Sequence, residues 1–258
     1  METGQVFIPK VIHYCWFGGN PLPEDALRCI ESWKKFCPDY EIIEWNESNT
    51  DLNSCDYVRE AYQAKKWAFV SDFVRFQVLY EKGGVYFDTD VELIKPIDSI
   101  IEKGPFMGIE SFPGDYVGND SYFCLNPGQG LAAEKGNEFY SEVISHYKSI
   151  HFLKEDGTMN LDTVGMHVTS LMLKYGLKPE NSFQTVCGIN IYPKEYFNPL
   201  NANSGMVELT ENTVSIHHYA GTWVSSKTKI RDKSFQFIYR VFGEKAAASL
   251  KKLYRKLF

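Results

Sequence analysis

The sequence predicts an α/β fold in one domain, and three observations lead there. "KVIHYCWFGG" (10–19) and "YEIIEW" (40–45) are β-branched and aromatic runs with a helical pattern between them, and the first stops at two glycines. Strand, helix, strand at this spacing is the unit from which parallel sheets are built. "WAFVSDFVRFQVLYEK" (67–82) is apolar nearly all round, as a buried helix must be, and it closes on Gly83-Gly84. "VYFDTDVEL" (85–93) follows at once, so Asp88 and Asp90 are expected to leave an interior strand where open α/β sheets place their ligands.

The remaining elements follow in order. Pro23 suits the first turn of a helix lasting to about Phe36, between the first two strands. "PFMGIE" (105–110) and "SYFCLN" (121–126) read as strands, "LAAEKGNEFYSEVISHY" (131–147) and "VTSLMLKYG" (168–176) as helices, and "TVSIHHY" (213–219) as a late strand. In the final "AAASLKKLYRKLF", Leu250, Leu253, Tyr254 and Leu257 follow helical spacing while Lys251, Lys252, Arg255 and Lys256 lie off that stripe. This predicts a basic amphipathic helix, either packed on the domain or bound to an anionic membrane surface.

Composition narrows the function classes. A chain of 258 residues with 44% hydrophobic side chains can bury one large core. The net charge of −6 argues against a nucleic-acid binder. The charge is uneven: residues 227–258 hold ten Lys/Arg against two acids, leaving an acidic remainder. No apolar run reaches spanning length and the first residues lack a secretion signal, so a cytoplasmic protein, soluble or peripheral at the inner face of the plasma membrane, is expected. The six cysteines lack zinc-site spacing and read as free thiols.

Three clusters could carry chemistry. Asp72 and Arg75, three apart on the buried helix, are either an ion pair near an edge or a pair aimed into a cleft to grip a polar ligand. Asp88 and Asp90 would share a strand face and repel unless a cation sits between them; a solvated acidic pair is the other reading, and oxygen ligands select Mg²⁺ or Mn²⁺. In "SIHHYAGTWVSS", His217 and His218 would point oppositely, so at most one joins a metal. Trp16 beside Gly18-Gly19 is core packing or a stacking surface for a base. Asn119, Asp120, Asp162 and Thr163 are turn and cap residues, or readers of acceptor or donor-sugar hydroxyls.

"IPKVIHYCWFGG", then "SDFVRFQVLYEKGGVYFDTDVELIKPID", then "HHYAGTW" closely resemble the DXD sugar-binding glycosyltransferases of family 32. That family includes yeast initiating mannosyltransferases and bacterial capsule and O-antigen enzymes, and is related to clostridial glucosylating toxins. The likeness covers about 8–98 and 213–226 and is loose between. It implies a GT-A fold, a single Rossmann-like domain with a mixed central sheet over 1–233, with the basic helix at 234–258. It implies a metal-dependent retaining hexosyltransferase using Mn²⁺ or Mg²⁺ and a nucleotide sugar, UDP-hexose favoured. The implied acceptor is a glycan or polyprenyl-linked glycan in capsule or lipopolysaccharide synthesis.

By position, the resemblance makes Trp16 the base-stacking residue and Asp72 and Arg75 the holders of donor-sugar hydroxyls. Tyr86 would lie along the diphosphate or ribose, Asp88 would contact ribose or sugar and the metal, and Asp90 would be a direct ligand. The five-residue spacing to Trp223 selects His218 as third ligand, with the Trp223 indole N–H stabilising the leaving oxygen. A histidine replaces the toxins' carboxylate there. Two rivals are a haloacid dehalogenase-type phosphatase, which "VYFDTDV" also fits, and a non-catalytic sugar-nucleotide-binding protein. The phosphatase normally carries its nucleophile on the first strand, and it leaves Asp72, Arg75 and the glycine pair unexplained.

Overall fold

The computed structural model describes residues 7–113, 115, 122–201, 203–221 and 226–257. The chain runs β1 (Val11–Cys15), α1 (Glu24–Phe36), β2 (Glu41–Trp45), α2 (Asp56–Gln63), α3 (Trp67–Lys82), β3 (Gly84–Tyr86), β4 (Val91–Leu93), α4 (Asp98–Ile101) and β5 (Phe106–Ser111). It continues through β6 (Cys124–Leu125), β7 (Leu131–Ala133), α5 (Glu138–Lys148), α6 (Val164–Lys174), β8 (Gln184–Val186), β9 (Ile189–Tyr192), β10 (Ser215–His217) and α7 (Ser226–Leu257). The main sheet has the order β2-β1-β3-β7-β5-β9-β8, with β6 paired to β5, while β10 and β4 form a separate ribbon. β1 runs parallel to both β2 and β3, whereas β7 is antiparallel to β3 and β5. This is the expected α/β domain with a mixed central sheet.

Alternation along the strands divides the interior into two cores. The chain through β3 gives Val85 and Phe87 to one core, with Ile12, Trp33 and Phe106. It gives Tyr86 to the other, with Tyr57, Phe73, Tyr140 and Val168. Thus α1 covers one face, and α2, α3, α5 and α6 cover the opposite one. α1 has acidic residues in its first turn and basic ones in its last, matching its dipole, and it buries Ala26, Cys29, Ile30 and Trp33. Trp33 also donates from Nε1 to the Val91 carbonyl at 2.7 Å, pinning β4 under the helix.

Three expectations change. Leu131–Ala133 is not helix but a fully buried strand between β3 and β5; Leu and Ala favour helices, yet the slot between two strands overrides that preference. The following helix starts only at Glu138, capped by the Asn137 side chain, which accepts from the Tyr140 N–H. Secondly, Asp88 and Asp90 do not share a pleated strand face. β3 ends at Tyr86, and a turn closed by the Val91 N–H on the Asp88 carbonyl (3.1 Å) carries both.

The third change concerns the C-terminal helix. It begins at Ser226, so the expected boundary at 234 falls inside it, and it breaks at Gly243 (φ 79, ψ −179). Lys251 Nζ lies 5.9 Å from the centre of the Phe235 ring. Along an unbroken helix the two would stand about 24 Å apart, so the chain folds back on itself after Gly243. In the second segment Ala247 is buried, Leu250 half-buried and Leu253 exposed; the side chains of Tyr254 and Leu257 lie outside the described residues. Among the described residues no helix is long and apolar enough to cross a membrane.

Candidate active site

Parallel β1 and β3 deliver their carboxyl ends side by side, and the site is built there. The handover from α3 to β3 leaves no room for side chains. Gly83 and Gly84 have φ of 71° and 109°, and a Cβ on Gly84 would sit 2.7 Å from the Val11 carbonyl oxygen. Against this turn lies His13, whose Nε2 is 2.9 Å from the Gly83 carbonyl while Nδ1 accepts from Trp45 Nε1 at 3.1 Å. His13 is therefore neutral with its proton on Nε2, and burial pushes its pKa down to about 4.

Two to three turns before the glycines, α3 turns Asp72 and Arg75 toward the strand ends. Both are buried, and Arg75 Nη2 donates to Asp72 Oδ1 at 2.8 Å and lies 3.3 Å from Asp88 Oδ1. Its Nε donates to the Ser71 carbonyl, and its guanidinium carbon is 4.8 Å from the Tyr86 ring centre. Nη1 is buried without a hydrogen-bond partner among the described residues. Burial pushes the Asp72 carboxyl up to about 7 against the pull of Arg75, with Asp88 adding to the rise and a hydrogen bond from the Val164 N–H opposing it. The pair is thus no surface ion pair: it is a desolvated clamp shared with Asp88.

Asp88 accepts from the Tyr86 hydroxyl at 3.0 Å, and its backbone N–H donates to the Gly128 carbonyl. A side chain at Gly128 would displace the Asp88 carboxylate, since a Cβ there would lie 2.0 Å from Asp88 Oδ2. Across the turn, Asp90 Oδ1 is 3.2 Å from His217 Nε2, and Asp90 Oδ2 accepts from the Ala220 N–H at 2.8 Å. Burial would raise the Asp90 carboxyl, but His217 and that N–H hold it at about 2. Burial would lower the His217 imidazole, yet Asp90 foremost, with Asp88 and Glu110, raises it.

Asp88, Asp90 and His217 each offer a ligand atom, and these atoms lie within 4.8 Å of one another. A hexacoordinate Mg²⁺ or Mn²⁺ with bonds of about 2.1 Å spaces adjacent ligands by about 3 Å, close to the 3.2 Å between Asp90 Oδ1 and His217 Nε2, and two carboxylates with one imidazole are a donor set that could hold such an ion. His218 does not join it: its Nε2 pairs with Glu92 Oε2 at 2.8 Å, on the other side of the strand. The expected third ligand, His218, thus faces away from the aspartates, and His217 stands in its place in the group that could hold an ion.

Trp16 stands at the carboxyl end of β1, half-buried, its Nε1 donating to the Asn20 carbonyl at 2.6 Å. Thr163 caps α6, its hydroxyl accepting from the Met166 N–H, and the next residue, Val164, is the one that bonds Asp72. The exposed Asp162 only adjoins this cap. Trp223, Asn119 and Asp120 lie outside the described residues.

Sequence reasoning missed a second group. Glu110 on β5 is half-buried and its carboxyl is raised by burial, with His217 and a hydrogen bond to Tyr219 opposing. Asn198 Nδ2 donates to the Glu110 carbonyl and to the Tyr219 hydroxyl, and the Tyr219 ring lies 4.1 Å from that of His217. The available signal was a carboxylate interrupting the apolar run "FMGIES".

Residues 23–107 match the family model described as glycosyltransferase sugar-binding region containing DXD motif. Inositol phosphoceramide mannosyltransferase 1 of Schizosaccharomyces pombe is 30% identical over 131 residues, 46% of this chain and 39% of that protein. The initiation-specific alpha-1,6-mannosyltransferase of Candida albicans is 27% identical over 168 residues, 55% of this chain and 43% of its own. The matches thus span less than half the length of either relative. Among solved structures, the galactosyltransferase LgtC superposes with a TM-score of 0.45 at 11% identity over 88% of this chain and 94% of that one.

Proposed function

We propose, from the premise that residues 23–107 carry the sugar-binding region of the DXD glycosyltransferases, that the chain transfers a hexose from a nucleotide sugar to a glycan or lipid-linked acceptor. The observation that carries this reading is the convergence of Asp88, Asp90 and His217 on one point beside the Asp72–Arg75 clamp. A divalent cation held by these three residues would offset the charge developing on the departing diphosphate.

The protein's own groups then divide the work. Arg75 stays cationic and holds one buried N–H unpaired, ready for a sugar hydroxyl or phosphate oxygen. Asp72, whose carboxyl burial raises against the pull of Arg75, faces a second hydroxyl. Tyr86 fixes Asp88 through its hydroxyl and lies under the guanidinium along the diphosphate. Trp16 stacks on the base at the end of β1, and the Trp223 N–H serves the leaving oxygen. Anomeric configuration is retained, and UDP is the favoured nucleotide. Because both relatives are named mannosyltransferases, mannose is the first hexose to test. The acceptor belongs to surface-polysaccharide synthesis at the inner face of the plasma membrane.

The test is nucleotide release from UDP- and GDP-sugars, with Mn²⁺ and with EDTA. Release should need the metal and should fall at least about 100-fold in Asp90→Ala, the loss of several kcal/mol of charge stabilisation. A protein that releases nothing from any donor, and whose nucleotide affinity survives Asp90→Ala, is not a transferase of this kind.

A further inference from the structure

The fold-back at Gly243 sets the first segment of α7 apart. Ile230, Phe237 and Val241 are 66%, 55% and 54% exposed. At 100° per residue these three fall within about 40° of arc on the solvent side of the helix, with the exposed Ser234 between Ile230 and Phe237. Lys233 and Arg240 flank the stripe on one side and Lys227 on the other, all exposed. From 226 to 242 the segment carries five Lys/Arg and one acid, Asp232, which is paired with Arg231.

We propose that this stripe is a membrane-surface contact, and that the lipid it fits is anionic. An apolar ridge bordered by cations is the pattern of a helix lying in the headgroup layer, its side chains reaching the acyl boundary while lysines and arginines meet lipid phosphates. A second copy of the chain is the weaker occupant. Packing two such stripes together would set Lys233 and Arg240 of one helix against the same cations of the other, and like charges at close range oppose association. The sequence alone offered the stripe Leu250, Leu253, Tyr254 and Leu257 as either a packing face or a membrane face; the exposed Ile230, Phe237 and Val241 lie in the first segment instead.

The proposal rests on the reading that the acceptor is lipid-borne, but its test is separate from transfer. The full-length protein is floated with vesicles of phosphatidylcholine, with and without about 30% phosphatidylglycerol, at low salt and at about 0.5 M salt. Binding is expected only with the anionic lipid and should weaken with salt. It should fall at least about tenfold in the combined Ile230→Ser, Phe237→Ser, Val241→Ser variant and in the Lys233→Glu, Arg240→Glu variant, whose apolar stripe is intact. Nucleotide release by both variants should stay within about twofold of wild type, showing that the site is folded. Equal binding to neutral vesicles, or full binding by either variant, overturns the proposal. So does a dimer in light scattering that the serine variant splits while vesicles bind nothing.

Discussion

A strand alternates its side chains, so β10 can turn only one of two consecutive histidines toward the aspartates. Its antiparallel register sets His217 opposite Val91, next to Asp90, and leaves His218 on the side of Glu92. Both histidines precede the same tryptophan, and spacing borrowed from the toxins favoured His218; only the register of β10 on β4, set by pairing far along the chain, separates them. His217→Ala should therefore weaken Mn²⁺ binding by more than the roughly 10- to 100-fold that loss of an outer-shell partner costs. His218→Ala, which removes only an exposed contact with Glu92, should change it less than about threefold. Calorimetric titration of the two variants decides between them, and the opposite ranking would reinstate His218.

Elements were legible where their local signal was strong. β1, α1, β2 and α3 follow from periodicity and glycine stops, and Gly83-Gly84 could be placed because no other residue survives that turn. β7 was not legible, since its helix-favouring residues become strand only when β3 and β5 lie on either side. The break in α7 was hidden because one glycine inside a basic helix reads as tolerated. Nor did His13 announce itself as the residue that fastens the glycine turn to β1 and β2. Its folded pKa, about 4, lies below the ordinary histidine value of 6.5, so the unfolded chain takes up the proton first. Its contribution is complete above about pH 6.5 and is lost as the pH falls toward 4, and 2.5 pH units correspond to about 3 kcal/mol. Urea unfolding at pH 7 and at about pH 4.5 should show wild type losing roughly 2–3 kcal/mol more than His13→Gln. Parallel losses in the two proteins would remove His13 from the acid response.

At the scale of the whole molecule, the candidate metal-ligand cluster joins segments that the sequence holds far apart. Asp88 and Asp90 leave β3, His217 arrives on β10, and the strands β5 to β9 lie between them in the chain. An unfolded chain cannot hold these three groups together, so a cation that binds them binds the native state alone and stabilises all of it. The charge balance would strengthen the dependence. Outside the basic C-terminal segment the molecule is acidic, and two carboxylates face the site, so a bare nucleotide diphosphate would meet repulsion that a cation there would remove. Mn²⁺ at about 100 times its dissociation constant should add about 2.7 kcal/mol, which for a domain of this size raises Tm by roughly 5–10 °C. UDP should add to the shift with the metal present and produce almost none under EDTA. In His217→Ala or Asp90→Ala the metal-induced rise should disappear, while the unliganded Tm falls below wild type because one partner of a buried pair is left alone; a rise that persists in both variants would place the cation elsewhere in the molecule.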